Sequence, residues 1–293
     1  MTQLLRTSLT RGLMIVLLIL LGSCSMLRMS YHQGPQLAWW WLDGYLDFEH
    51  EQIPQAKEAI RHWFDWHRGT QLPHYAAKLT ELSEHINDTV TSDEVCGWYD
   101  TVRHTFTPAL NHAVQLGAPL TRRLSEAQLR HLEQRYDKNN EEFRGDYLQP
   151  TLESRQKASI KRTIKRFENL YGDMNDAQQR LIADTISASP FDPEAWLRER
   201  QRRQSETVQQ LRQLISEPAE TDADAETVLH KLAKQLEHSP NAVYRAYQMK
   251  LTDYNCAFVA DLHNSTNAKQ RRHARDKLRN WAADLHALAQ GIR

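Results

Sequence analysis

The chain has 293 residues, with 37 basic and 37 acidic side chains, so its formal net charge at pH 7 is zero. This balance argues against nucleic-acid binding through overall charge. Only 10 glycines and 10 prolines are present, which leaves little material for a turn-rich β protein. The length allows one large domain or two small ones.

The N-terminus has the pattern of a secretory signal peptide. Residues 1–12 contain Arg6 and Arg11 and no acid, and residues 13–21 are nine consecutive apolar residues. Nine residues rise about 14 Å as a helix, roughly half of a ~30 Å hydrocarbon core, so the segment is too short to span a bilayer. Cleavage after residue 23 would leave 270 residues with a net charge of about −2, because two arginines and no acid are removed.

The end of the apolar run, Leu21-Gly22-Ser23-Cys24, resembles the bacterial lipobox. That resemblance implies lipid on the Cys24 thiol, cleavage before Cys24, and acylation (palmitate or a similar chain) of the new amino group. Several acyl chains together anchor a protein stably, whereas a single chain is marginal. Ser25, which is not an aspartate, favours the outer membrane under the sorting rule for such lipoproteins. The alternative is an ordinary cleaved signal that happens to contain a cysteine.

The other two of the three cysteines are Cys96 and Cys256. If Cys24 carries lipid, two cysteines remain in an oxidising periplasm. An even number of cysteines there favours a disulfide between them. It would close a loop of roughly 160 residues and contribute about 5 kcal/mol in the chain-entropy account. Two buried free thiols are the alternative.

Apolar residues recur at helical spacing through most of the remaining chain, and no stretch shows sustained alternation with a period of two. The predicted helices include residues 53–67, 75–86, 95–106, 129–147, 152–171, 175–189, 196–215, 228–236, 244–262 and 274–288, and several begin earlier at a capping residue such as Ser125, Asp192 or Asn267. Pro108 is expected to break or restart the third. We therefore predict an all-α bundle of about ten helices without a sheet, with 1–23 as signal peptide, 24–36 as lipidated tether and 37–293 as one periplasmic domain.

An aromatic block opens this domain. Five of the eight tryptophans lie between Trp39 and Trp66, and Trp39, Trp40 and Trp41 are consecutive. Such a run must be buried, or lie at a membrane interface or a ligand surface. We expect it to dock on the bundle. The alternative is stacking on sugar rings, with Asp43 or Asp47 beside the tryptophans as a candidate acid.

Three segments share a polar residue followed three positions later by glutamine, namely Ser125–Gln128, Asn175–Gln178 and Asn267–Gln270. This spacing is similar to the Leu-Thr-x-x-Gln motif of small periplasmic stress chaperones. It is also an effective way to begin a helix, and we favour that interpretation.

Three lysines, Lys157, Lys161 and Lys165, lie four residues apart and so share one helical face. Like charges at this spacing repel, so the pattern predicts an acidic neighbour. We expect a neighbouring helix to supply it; the alternative is an anionic lipid headgroup or a polysaccharide phosphate.

No catalytic or metal-binding pattern stands out. Fourteen histidines are present, but none occurs in His-Glu-x-x-His, and His62 and His67 are too far apart around a helix to share an ion well. Ser154 and Lys157 match Ser-x-x-Lys, although the companion Lys-Thr-Gly is missing. We predict no metal, no cofactor and no catalytic residue.

Several specific segments resemble a lipoprotein family of Gram-negative bacteria that is defined only as a domain of unknown function. They are Trp40-Trp41-Leu42-Asp43-Gly44-Tyr45 with Asp47-Phe48, Trp63-Phe64-Asp65-Trp66-His67-Arg68 with Gln71-Leu72-Pro73, Ser189-Pro190-Phe191-Asp192, Tyr244-Arg245-Ala246-Tyr247, Tyr254-Asn255-Cys256 and Leu262-His263-Asn264. The similarity extends over nearly the whole mature chain. It implies lipid attachment, and it brings no activity, cofactor or catalytic residue.

The sequence thus predicts an outer-membrane lipoprotein that faces the periplasm, is held to the membrane by Cys24, and does not bind nucleic acid. The leading hypothesis is a non-enzymatic binding or chaperone-like protein with an envelope protein or glycan as partner. The rival hypotheses are a peptidoglycan-acting enzyme and a glycan-binding lipoprotein.

Overall fold

A computed structural model describes residues 26–216 and 221–291, which form twelve α-helices and no strand. The helices are α1 (Met26–His32), α2 (Gly34–Leu46), α3 (Ile53–Thr70), α4 (Leu72–His85), α5 (Ser92–Thr121), α6 (Glu126–Tyr147), α7 (Leu152–Tyr171), α8 (Asp176–Ala188), α9 (Pro193–Ser216), α10 (Asp222–Glu237), α11 (Ala242–Asn264) and α12 (Ala268–Ala289). The all-α prediction is confirmed, with two helices more than expected. The predicted signal peptide and Cys24 lie outside the described residues.

The longest helix, α5, packs against α3, α10 and α11. It begins with a capping box in which Thr91 and Glu94 bond each other's backbone N–H groups. The helix continues through Pro108, so the expected break there is wrong. Proline inside a helix removes one hydrogen bond and costs about 3 kcal/mol. Packing of α5 on three other helices offsets that cost, and the Trp63 indole donates to the Ala109 carbonyl at 2.9 Å beside the proline.

The core consists of several apolar clusters. The largest lies between α4, α7, α8, α11 and α12, and its most buried members include Ile182, Leu262 and Leu278. A second group of clusters joins α2, α3, α6 and α9, with Leu46 contacting both of its halves. No helix within the described ranges is long and apolar enough to cross a membrane.

A disulfide joins Cys96 in the first turns of α5 to Cys256 in α11, as predicted. Their Cα atoms are 5.5 Å apart, and the bridge lies in a small cluster with Val90, Val95 and Ala260. The bond crosses 160 residues of sequence, so it constrains the unfolded chain strongly.

Residues 26–36 of the predicted tether are mainly helical and packed on the bundle. The Arg28 guanidinium lies 3.1 Å from the Asp284 carboxylate on α12. The Tyr31 hydroxyl lies 2.9 Å from Nδ1 of His67, and the His67 ring stacks on Trp63. These contacts hold α1 against α3 and α12, so α1 is part of the folded domain and not a free tether.

We predict that intact protein exposes no titratable thiol from Cys96 or Cys256 until it is reduced. Loss of the cross-link would remove up to about 5 kcal/mol and lower the melting temperature by about 10 °C. Ellman titration of denatured, unreduced protein checks the first point, and calorimetry with and without reductant checks the second. Two titratable thiols in unreduced material would contradict the disulfide.

A second prediction concerns pH. Burial lowers the pKa of His67 from 6.5 to about 4, so between pH 6.5 and about pH 4 the unfolded chain binds a proton that the folded chain does not. The free energy of unfolding should therefore fall as the pH falls, by about 2 kcal/mol between pH 6.5 and 5 from this residue. Urea denaturation at both pH values measures the difference.

The matched comparison is His67→Gln with His74→Gln, since His74 is exposed on α4. His67→Gln should lower stability at pH 7 and reduce the pH dependence, and His74→Gln should leave both unchanged. The same pH dependence in His67→Gln and the parent would rule out His67 as its source.

Candidate functional site

An open groove of about 910 Å³ lies between α6, α7, α8, α9 and α11, and we call it the arginine groove. Its aromatic lining consists of Phe143, Tyr147, Phe167, Phe191, Trp196, Tyr254 and Phe258. Its charged lining consists of Arg155, Arg162, Arg166 and Arg200, with Asp192 and Glu194. Ring faces and an excess of guanidinium groups therefore share one concave surface.

Stacked rings form one wall of the arginine groove. Phe143 stacks on Tyr147 one helical turn along α6 and on Trp196 of α9, with ring centroids 4.6 Å apart in both pairs. Phe191 meets Tyr147 edge to face at 6.2 Å. Residues four apart share a helix face, so α6 supplies two rings and α9 extends the stack. The result is a continuous stack of three rings at this wall, of which Phe143 is buried.

The arginines are oriented mainly by ring faces and carbonyl oxygens. Arg162 lies over the Tyr147 ring at 4.4 Å and donates to the Asp146 carbonyl at 3.0 Å. Arg200 lies over the Trp196 ring at 5.5 Å. Such cation–π contacts fix a guanidinium without neutralising it. These two arginines therefore keep their full charge for a ligand.

The groove's carboxylates have structural roles. An Asp192 carboxylate oxygen accepts the N–H groups of Glu194 and Ala195, both at 2.9 Å, and so caps α9. Glu194 lies 3.7 Å from Arg155. The four arginines outnumber these two acids, so the arginine groove has a net positive charge.

The lysine face of α7 borders the arginine groove. Lys157, Lys161 and Lys165 are exposed along a shallow depression with Ile160 and Ile164. None of the three lysines makes an ion pair with a side chain in residues 26–216 or 221–291. The prediction that a neighbouring helix supplies an acidic partner is therefore wrong for the described part of the chain.

The tryptophan block divides between core and surface. Trp39 is buried, stacks on Phe48 and lies under the Lys57 ammonium group. Trp40 and Trp41 are each 61% exposed. The predicted docking of the tryptophan block on the bundle is thus confirmed for Trp39 and wrong for Trp40 and Trp41.

The two acids near the tryptophans occupy the C-terminal end of α2. An Asp43 carboxylate oxygen accepts the Phe48 N–H at 3.2 Å, and Asp47 has a left-handed backbone with φ of 45°. Neither residue lines the arginine groove. This arrangement gives the hypothesis of a peptidoglycan enzyme no support. Among the described residues, no group of three or more His, Cys, Asp or Glu side chains could hold a metal ion.

The three polar-x-x-Gln segments begin helices as predicted. Their glutamine side chains also form hydrogen-bonded pairs, one of them with Gln52, which precedes α3. The side-chain amides of Gln52 and Gln128 donate to each other, at 3.2 and 2.8 Å. Each side-chain oxygen also accepts the backbone N–H three residues earlier, from Glu49 or Ser125, at 2.9 Å. This pair joins the start of α3 to the start of α6.

The second pair repeats the arrangement 92 residues apart in sequence. Gln178 and Gln270 donate to each other at 3.0 and 2.9 Å, and their oxygens accept the N–H groups of Asn175 and Asn267. This pair joins the start of α8 to the start of α12. Both pairs are buried.

A further contact is common to all four glutamines. Each donates to a backbone carbonyl two residues before its partner's capping residue; these carbonyls belong to Asp47, Arg123, Asp173 and Ser265. The fourth segment, Glu49–Gln52, was missed by sequence reasoning. A buried residue precedes the first residue of each segment, namely Phe48, Leu124, Met174 and Thr266. A large or apolar residue followed by the polar-x-x-Gln spacing is the sequence signal that could have identified the fourth segment.

We predict that Gln128→Leu lowers the free energy of unfolding by about 2–4 kcal/mol, because each atom of the buried Gln52 amide loses one of its two partners and the Leu46 and Asp47 carbonyls lose the Gln128 donor. Gln134→Leu is the matched control, since Gln134 is exposed on the same helix, and should change stability by less than about 0.5 kcal/mol. Urea denaturation measures both. Equal losses would show that the pair contributes nothing specific.

The comparisons with known proteins concern most of the chain. A family model described as a family of unknown function (DUF6279) matches residues 44–234, which is 191 of the 293 residues. The segments from Tyr244 to Asn264 that carry part of the resemblance lie beyond this match. No curated protein and no solved structure matches the chain. With about two thirds of its length matched, the chain belongs to the family of unknown function DUF6279.

Proposed function

We propose that this protein is a lipid-anchored, periplasm-facing protein of the outer membrane that binds an acidic glycan without catalysing a reaction. The observation that carries the proposal is an aromatic groove with a net positive charge, bordered by lysines of α7 that make no ion pair with any described residue. The lipobox-like sequence ending in Cys24 supports the location.

The aromatic rings that line the groove support a sugar ligand. Sugar rings carry apolar C–H faces and polar edges, and tryptophan and tyrosine offer broad apolar faces to such groups. The Phe143, Tyr147 and Trp196 rings form a continuous stack at the wall of the arginine groove. The Asn255 and Thr163 side chains also line it and can bond hydroxyl groups.

The charge of α7 supports an acidic ligand. This helix carries six lysines and arginines and two glutamates between Leu152 and Tyr171. Arg166 is exposed in the groove and makes no hydrogen bond or ion pair with another described residue. Like charges on one helix destabilise it by a few tenths of a kcal/mol per pair. A carboxylate or phosphate on the glycan would remove that repulsion.

A second candidate function is chaperone-like binding of protein clients. One observation favours it, namely an exposed apolar stripe along α5 formed by Trp98, Tyr99, Val102, Phe106 and Leu110. Contiguous exposed apolar surface commonly marks a protein-binding site. The similarity of the polar-x-x-Gln segments to a chaperone motif agrees with this candidate.

We predict that full-length protein in detergent binds soluble peptidoglycan fragments with free carboxylates more tightly than neutral chito-oligosaccharides of equal length. Binding should weaken as salt rises, because the contacts are electrostatic. Trp196→Ala should weaken it about 30-fold and Arg166→Ala about 10-fold. Isothermal titration calorimetry measures both.

The matched control is Arg279→Ala, which removes the same charge from an exposed position on α12 and should change binding less than twofold. Equal effects of Arg166→Ala and Arg279→Ala, or no binding at all, would reject the glycan proposal. Suppression of client aggregation that is lost in Val102→Ser with Phe106→Ser, and kept in Arg166→Ala, would support the second candidate instead.

A further inference from the structure

One face of α2 exposes large apolar side chains that no described element covers. Leu37, Trp40 and Trp41 lie at i, i+3 and i+4 on this helix and are 49%, 61% and 61% exposed. We call them the α2 tryptophan face. The opposite side of α2 holds Trp39, buried against Phe48 and α3. On the preceding helix Met29 is also 61% exposed.

The position of this face in the chain indicates what covers it. The predicted lipid-bearing Cys24 is two residues before Met26, where α1 begins, and two residues can span at most about 7 Å. Even if α1 and α2 were collinear, a rise of 1.5 Å per residue would place Trp40 about 21 Å from Met26. An anchored Cys24 therefore keeps the α2 tryptophan face within about 30 Å of the bilayer.

The attachment of α1 limits how the protein can turn away from the bilayer. Arg28 is paired with Asp284, and the Tyr31 hydroxyl contacts His67. Because α1 is fixed to α12 and α3, the lipid would be joined to the body of the protein by very few residues. A short connection of this kind holds one side of the molecule near the membrane.

The chemistry of the segment fits a lipid surface. From Met26 to Leu42 the chain contains no acidic residue and one arginine, so anionic headgroups do not repel it. Tryptophan favours the bilayer interface, where its ring is buried among the acyl chains and its N–H stays near water. Methionine and leucine beside it add apolar surface.

We infer that the α2 tryptophan face inserts into the interface of the leaflet that carries the Cys24 lipid. This inference rests on the proposed anchoring. The insertion gives the protein a fixed orientation on the membrane, with two tryptophan rings as a second attachment beside the acyl chains.

The test uses full-length lipidated protein in vesicles of phosphatidylethanolamine and phosphatidylglycerol, with acyl chains either brominated or not. Bromine quenches only tryptophans that reach the acyl region. The double variant Trp40→Phe with Trp41→Phe should lose at least half of the bromine-dependent quenching. Trp98→Phe, an exposed tryptophan on α5, is the matched control and should keep it. Circular dichroism checks that all variants are folded.

Vesicle flotation separates this inference from the anchor. If the parent floats, Cys24→Ser does not, and the double variant is quenched as much as the parent, the anchor stands and the inference is overturned. If the parent fails to float, the proposed anchoring fails and the inference falls with it. Self-association in detergent that the double variant abolishes, without bromine quenching of the parent, would assign the face to a second copy and overturn the inference.

Discussion

The structure depends on how the first turns of its helices satisfy their backbone N–H groups. Three helices, α6, α8 and α12, solve this with a glutamine three residues after the capping residue, and together with Gln52 before α3 these glutamines bond each other in two pairs. Every amide atom has a partner, which makes burial of these polar groups tolerable. A local capping device thereby becomes a long-range connection between helix starts 76 and 92 residues apart in sequence.

The arginine groove follows from these connections. Two of its walls, α6 and α8, carry Gln128 and Gln178 in their first turns, one glutamine from each pair. The disulfide fixes α11, which supplies Tyr254 and Phe258, to the long helix α5. Three of the helices that bound the groove are therefore fixed to distant parts of the chain. These connections, and not only contacts within the groove, hold its rings and guanidinium groups close together.

Much of the fold was predictable because its signals are local. The apolar stripe and cap residues of α7 gave bounds of 152–171, which the structure reproduces, and the disulfide was predicted from the cysteine count and the expected oxidising compartment. The predicted helix break at Pro108 was wrong because the proline removes a hydrogen bond within its own helix, whereas the packing that offsets this cost comes from helices distant in sequence. The groove was missed because Phe143, Arg166, Trp196 and Tyr254 are far apart in sequence, and pairing of the glutamines was missed for the same reason.

The tryptophan block shows how helix geometry decides a question that composition leaves open. Successive residues on a helix differ by about 100°, so three consecutive tryptophans cannot all face one core. Trp39 faces inward, and Trp40 and Trp41 must then face outward. Packing does not require these outward positions, or Leu37, to be apolar, since neighbouring Gln36 is exposed on the same helix. An apolar face that the described fold does not use implies a contact outside the fold, and the proposed lipid at Cys24 makes the membrane surface the nearest one.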